Sequence, residues 1–186
     1  MLISKFKIDD INDEVNSLEN IYEIVLPKQY KRFILNYNGG YTPKTKFKIG
    51  KISSDIRGFF GVGNVELSIN NVELKEWVKI NFFPIACDSF GNIIVIGLCK
   101  CNTGKIYFCD HEKQYSPEYV VESFNDFIKF CKSEKISEAS KLSIEEREAI
   151  LIANGKGDII TDGLREMWQA EIKKYSNMIQ EEVLID

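Results

Sequence analysis

The sequence is short of several things that function would need. It has one histidine, His111, in 186 residues, so imidazole acid–base chemistry has a single possible seat. It lacks any apolar run near the roughly 20 residues a membrane span requires. Its first ten residues, "MLISKFKIDD", carry charge within five positions and show no apolar core or small-residue cleavage site. They do not form a secretory signal, so a cytoplasmic protein is expected. Basic charge is not in excess: the net charge is −4 and the pI about 5.3. That argues against nucleic acid or an anionic membrane as the main partner.

Metal and phosphate motifs are missing too. Cys99, Cys101, Cys109 and His111 invite a zinc reading, but structural zinc hairpins place two to four residues between paired cysteines. The five cysteines, Cys87, Cys99, Cys101, Cys109 and Cys131, are odd in number. Without a signal they are expected as reduced thiols acting as small core hydrophobes. "GVGN" (61–64) and "GKGD" (155–158) match neither phosphate-loop fingerprint and read as loop glycines. No cofactor and no metal site are expected.

What is present suits a globular fold. Hydrophobic residues are 44% and charged residues 28% of the chain, enough for a real core and against global disorder. Residues 9–22 place Ile11, Val15, Leu18 and Tyr22 on one helical face. In "LPKQYKRFILNYNGG" (26–40), Tyr30, Phe33, Ile34 and Tyr37 form a second stripe. Pro27 suits its first turn, and Gly39 and Gly40 its end. "FKI" (47–49), bracketed by Pro43 and Gly50, and the start of 56–64 read as strands. Residues 65–77 read as a helix carrying Glu66, Glu73 and Glu76.

Three apolar runs follow, 82–87, 92–98 and 105–109, separated by "DSFG" and "KCNTG". They predict an antiparallel meander, with a further short strand at 119–121. Ser123 caps "SFNDFIKFC", with Asp126 in the capping-box place. Residues 132–141 are polar and read as a linker. Two helices fill 142–186, the second carrying Leu164, Trp168, Ile172, Tyr175, Ile179 and Val183 in one stripe. The fold class is α+β: N-terminal helices on an antiparallel meander (1–131), a linker, and a helical C-terminal extension. The extension covers the main domain or a partner, which makes the protein a monomer or a weak homodimer through that helix.

Candidate chemistry is sparse. His111, flanked by Asp110 and Glu112, could act as a general acid or base with Cys109 or Ser116 as nucleophile. A turn histidine that hydrogen-bonds a sheet corner is the plainer reading. Charge patterning is more informative. Residues 28–57 hold eight Lys or Arg against one acid, and residues 58–126 are net −4. The acids Glu66, Glu73, Glu76, Asp88, Asp110 and Glu112 make a candidate face for a basic protein.

Three segments resemble the SUKH superfamily, which holds bacterial toxin-immunity proteins and the fungal Smi/Knr cell-wall assembly regulators. They are "LPKQYKRFILNYNGG", "FFPIACDSFGNIIVIG" and "GKIYFCDHE", in order over roughly residues 9–131. Cys109 departs from the tryptophan that members often carry. The tail segment "GKGDIITDGLREMWQAEI" resembles an extension of some bacterial members. The resemblance implies an α+β domain with no catalytic residues. It implies a protein that binds and neutralises a toxin domain, often a nuclease, or alternatively a regulatory scaffold. Leu26, Pro27, Asn38, Gly39, Gly40, Pro84, Asp88, Gly91, Asn92, Asp110 and His111 would then be mainly scaffold.

Overall fold

A computed structural model describes residues 1–113 and 115–185. The chain divides into two units: residues 1–134 with the segment returning at Glu181, and residues Lys135–Gln180.

The first unit opens with strand β1 (Leu2–Lys5), then helices α1 (Ile11–Tyr22) and α2 (Lys28–Tyr37). Strands β2 (Gly40–Ile49) and β3 (Ile52–Phe59) follow, then the short helix α3 (Leu74–Lys79). The meander is β4 (Phe82–Cys87), β5 (Ile93–Gly97), β6 (Ile106–Cys109) and β7 (Glu118–Val121). Helix α4 (Phe124–Phe130) and strand β8 (Lys132–Ser133) complete this stretch. The second unit carries helices α5 (Ile144–Ala153) and α6 (Asp162–Tyr175), and strand β9 (Glu181–Glu182) rejoins the first. Among the described residues the strands make one antiparallel sheet, ordered β7-β6-β5-β4-β3-β2-β1-β9, with β8 also on β2. The fold class is α+β, as the pattern predicts.

The core follows from the two stripes and the period-2 strands. Tyr30 and Phe33 of α2 meet Phe124 of α4 at 5.4 and 5.1 Å between ring centroids. Phe33 and Tyr30 also reach Phe59 and Phe83 of the sheet at 5.0 and 5.8 Å. Ile94 and Ile96 join this cluster, while Val95, between them, faces the other way against Trp77 of α3. Alternation along a strand produces the two faces. Removing a fully buried ring here costs about 3–5 kcal/mol.

Several expectations are corrected. β1 was not expected, and β2 is longer than 47–49. Pro43 does not bracket the strand: the β2–β3 register shifts between Tyr41 and Thr45, with Lys44 at φ 55. A bulge is where a strand tolerates proline. β3 starts earlier than residue 56, at Ile52; its end at Phe59, before the 61–64 loop, is as expected. The expected helix over 65–77 is two pieces, a 3-10 turn at Ile69–Asn71 and α3. Ser68 caps the turn by accepting from Asn70 N–H, and Val72 is extended, which breaks the helical period.

The supposed linker is partly built, as β8 and a 3-10 turn at Glu138–Lys141. The long C-terminal stripe also breaks: α6 ends at Tyr175 and Ile179 is 77% exposed. Val183 instead packs into the sheet's core, because β9 finds hydrogen-bond partners on β1. Asp186, the last residue of the expected extension, lies outside the described residues. Finally, Cys99 and Cys101 are not free core thiols; a disulfide joins them in the β5–β6 turn. Asn102 holds that turn through Cys99 N–H, and the Cα atoms stand 5.4 Å apart, within disulfide reach. Cys87, Cys109 and Cys131 are buried and free.

Candidate functional site

The glycine corner after α2 is a structural lock. Asn38 ends α2 in the left-handed region at φ 50, its N–H donating to the Ile34 carbonyl. Its side chain then grips Val62 twice: Oδ1 accepts from Val62 N–H at 2.8 Å, and Nδ2 donates to Val62 O at 3.2 Å. Gly39 passes so close to the chain leaving β3 that a Cβ would stand 2.5 Å from the carbonyl oxygens of Phe59 and Phe60. At the other end of α2, buried Leu26 and Pro27 open the helix. Glu19 of α1 accepts from Leu26 N–H at 2.8 Å and from Lys31 Nζ at 2.6 Å. These polar groups are all engaged in hydrogen bonds within the fold.

The second motif is the β4–β5 turn. Asp88 is 2% exposed. Its carboxylate accepts from Ser54 Oγ at 2.6 Å, Phe90 N–H at 2.9 Å, Asn92 N–H at 2.8 Å and Asn92 Nδ2 at 2.6 Å. Gly91, at φ 91, lets the turn close. Pro84 sits in β4 beside a register shift between Pro84 and Ala86. Asn92 Oδ1 turns to the third motif, accepting from the N–H of His111 at 2.9 Å and meeting His111 Nδ1 at 2.9 Å. Asp110 Oδ1 accepts from Glu112 N–H at 2.9 Å. The Cys109 thiol points to the carbonyls of Lys113 and Asp110, at 3.5 and 3.8 Å, not toward His111.

The six acids are not equivalent. Asp88 is interior, which removes it from any surface. Glu66 is exposed on the loop before the 3-10 turn, outside a helix. Glu73, Glu76 and Glu112 are exposed, and Asp110 is half-buried. Glu76 is paired with Lys79 at 2.6 Å. What joins α3 to the 110–115 corner is Tyr115. Its hydroxyl donates to Glu73 Oε2, and its ring packs on Trp77 at 4.8 Å. The acidic hydrogen-bond partner, with burial second, pushes the Tyr115 hydroxyl up to about 12. Changing Glu73 to Gln is expected to bring that titration back toward the ordinary tyrosine value of about 10. Carbon-13 NMR of the tyrosine Cζ atoms against pH reads this, and an unmoved Tyr115 would show that the pair does not form in solution.

Aromatic residues accompany these acids, and residue-by-residue reading of the sequence missed them. Pro84, Val95, Tyr107 and Tyr119 lie opposite one another across β4, β5, β6 and β7. Phe82 and Tyr119 flank Tyr107 at 4.9 and 5.8 Å. Tyr119 is 46% exposed, its hydroxyl on Glu122 at 2.9 Å. Half-exposed tyrosines are among the side chains enriched at protein-binding surfaces. The available signal was the alternation in "IYFC", which sends Tyr107 to the face opposite Ile106 and Phe108. Among the described residues no group of three His, Cys, Asp or Glu is placed to hold a metal ion. None of the described helices is long and apolar enough to cross a membrane.

Comparison with known proteins agrees with the three motifs. The SUKH_6 family model, described as SMI1-KNR4 cell-wall, matches residues 12–128. The chain is also similar to the SPbeta prophage-derived uncharacterized protein YokK of Bacillus subtilis (strain 168). The two are 26% identical over 141 residues, which covers 63% of this chain and 72% of the relative. With the Asn-Gly-Gly lock, the Asp88 turn and the Asp-His corner inside the matched stretch, the chain belongs to the SUKH superfamily, in its SMI1-KNR4 family.

Proposed function

We propose that this protein is an immunity protein, which binds a polymorphic toxin domain and neutralises it by contact rather than by catalysis. The observation that carries the reading is the surface where Glu73 holds Tyr115 over the buried Trp77, with Asp110 and Glu112 in the corner that precedes Tyr115, within a family member whose motif residues are engaged in its own scaffold. Nuclease toxins grip phosphates and are basic for that reason. An acidic, aromatic face opposes such a surface, and it speeds the encounter. The prophage origin in the relative's name suits a protein carried for conflict between cells. No catalytic residue and no cofactor enter the reading: His111 is held by Asn92, and the Cys109 thiol is buried.

The test uses the protein encoded beside this gene. Co-expression should rescue cells from it, and the purified pair should associate. Changing Glu66, Glu73, Glu76 and Glu112 together to Lys is expected to slow association at low salt by about tenfold or more. An unchanged rate sinks the acidic face and leaves immunity standing; absence of both rescue and binding sinks immunity itself. A second reading, a regulatory protein-binding scaffold, rests on the cell-wall description of the matching family. It gains if the neighbouring gene encodes no secreted protein with a variable C-terminal domain.

A further inference from the structure

The disulfide of the β5–β6 turn adds little to the fold. A bridge stabilises mainly by closing a loop in the unfolded chain, and its effect grows with the length of that loop. Here only Lys100 separates Cys99 from Cys101. The turn is also closed without the bridge. Asn102 Oδ1 accepts from Cys99 N–H at 3.0 Å, and Asn102 N–H donates to Cys99 O at 3.0 Å. Gly97 N–H donates to Lys105 O at 2.9 Å, and Gly104 N–H returns to Gly97 O at 3.0 Å. These bonds keep the two cysteines neighbours, with Cα atoms 5.4 Å apart, whether or not their sulfurs are joined.

Its placement suits reaction instead. Cys101 and Lys100 are exposed and Cys99 is half-buried, so an incoming thiolate meets Cys101 first. Lys100, next to both cysteines in sequence, supplies a positive charge beside the sulfur that leaves. Exposed disulfides are the labile ones, open to exchange with thiols. Cys87, Cys109 and Cys131 are buried, so the attacking thiol comes from outside the protein.

We propose that Cys99 and Cys101 form a thiol–disulfide exchange site for a small cellular thiol of the glutathione class. Its thiolate attacks Cys101 Sγ and forms a mixed disulfide. The bond between the two protein sulfurs breaks, and Cys99 leaves as a thiolate that takes a proton from water. A second small thiolate attacks the first one's sulfur, and Cys101 leaves in its turn. The sum is a protein dithiol and one small-molecule disulfide, with the small thiol oxidised and the bridge reduced. The reverse sequence rebuilds the bridge from the oxidised small thiol. The site uses no residue of the acidic face, and its chemistry does not depend on a toxin.

The experiment incubates the full chain, purified without reductant, with millimolar reduced glutathione at neutral pH. N-ethylmaleimide stops the reaction, and intact and peptide masses are read. Before glutathione the native protein should take no maleimide. Afterwards it should take label on Cys99 and Cys101, with a transient population carrying glutathione on Cys101. Oxidised glutathione should remove the labelling by restoring the bridge. In Cys99→Ser, the remaining Cys101 should capture glutathione from its oxidised form several-fold faster than Cys99 does in Cys101→Ser. A bridge that opens only on unfolding, a purified dithiol that oxidised glutathione does not join, or capture at equal rates in the two variants would each overturn the proposal. If either variant fails to fold, the quenched intermediate of the unaltered protein decides, and glutathione found on Cys99 instead of Cys101 overturns it.

Discussion

Gly39→Ala should destabilise the first unit severely, with a stability loss on the order of 4 kcal/mol. Two costs add. The left-handed conformation, φ +69 at this residue, costs a non-glycine residue about 1 kcal/mol. The greater cost is steric: the new methyl would stand 2.5 Å from the carbonyl oxygens of Phe59 and Phe60. Neither can retreat easily, since the Phe60 N–H is bonded to the Ile85 carbonyl and Phe59 pairs in register with Gly40 and Ala86. Small domains are stable by only about 5–15 kcal/mol, so this one methyl removes a large share. Gly50→Ala is the control. Gly50 has φ +59 and nothing within 4 Å of its added Cβ, so only the backbone cost of about 1 kcal/mol applies. Urea denaturation of both variants separates backbone strain from steric clash. Equal losses would show that close approach is not what makes the corner need glycine.

Asp88→Ala should cost nearly as much, about 3–4 kcal/mol, for a different reason. The substitution strips four donors of one buried acceptor: Ser54 Oγ, the N–H groups of Phe90 and Asn92, and Asn92 Nδ2. Hydrogen bonds to a charged group contribute about 1.5–3 kcal/mol each, and water regains only the donors near the surface. Asp88→Asn should recover part of the loss, because its oxygen still accepts from the two turn N–H groups. The disturbance should spread to His111, whose N–H and Nδ1 both rely on Asn92 Oδ1. Denaturation gives the stability, and the His111 ring signals report the spread. A variant that keeps full stability but binds its partner more slowly would show instead that Asp88 works at the surface.

The contrast between these two residues shows what was legible. Gly39 announced a helix stop, because chain reversal after an apolar stripe is a local matter. Asp88 announced a turn through "DSFGN", but its charge also made it look like a surface acid. Its hydrogen bond from Ser54, 34 residues earlier, is a contact that local pattern does not show. The same division holds for the fold. The α2 stripe and the meander were readable because periodicity and turn residues lie within a few positions of one another. Strands β1, β8 and β9 are four, two and two residues long. They exist because a distant strand offers its backbone, and "KS" or "EE" carries no sign of that. The Tyr115–Glu73 link spans 42 residues, so the aromatic half of the candidate face could not be assembled from local pattern. The Cys99–Cys101 bridge was hidden differently, since an odd count of cysteines suggests free thiols until a turn brings two together.

The pairing of β9 with β1 has a consequence for how such a chain can change. The polypeptide leaves the sheet at Ser133, whose hydroxyl accepts from Leu2 N–H at 2.9 Å. It returns at Glu181 and Glu182, which pair with Ile3 and Leu2. Exit and re-entry therefore flank the same residue of β1, and the return is fastened by buried Val183 and by Leu184 N–H on the Tyr37 hydroxyl at 2.9 Å. Residues 135–180 are an insertion within the sheet domain, not a tail after it. Such a segment can lengthen, shorten or be exchanged while every strand keeps its register, because loop closure costs grow only slowly with length. The stability of the sheet and its locked corners is thereby separated from the length of residues 135–180.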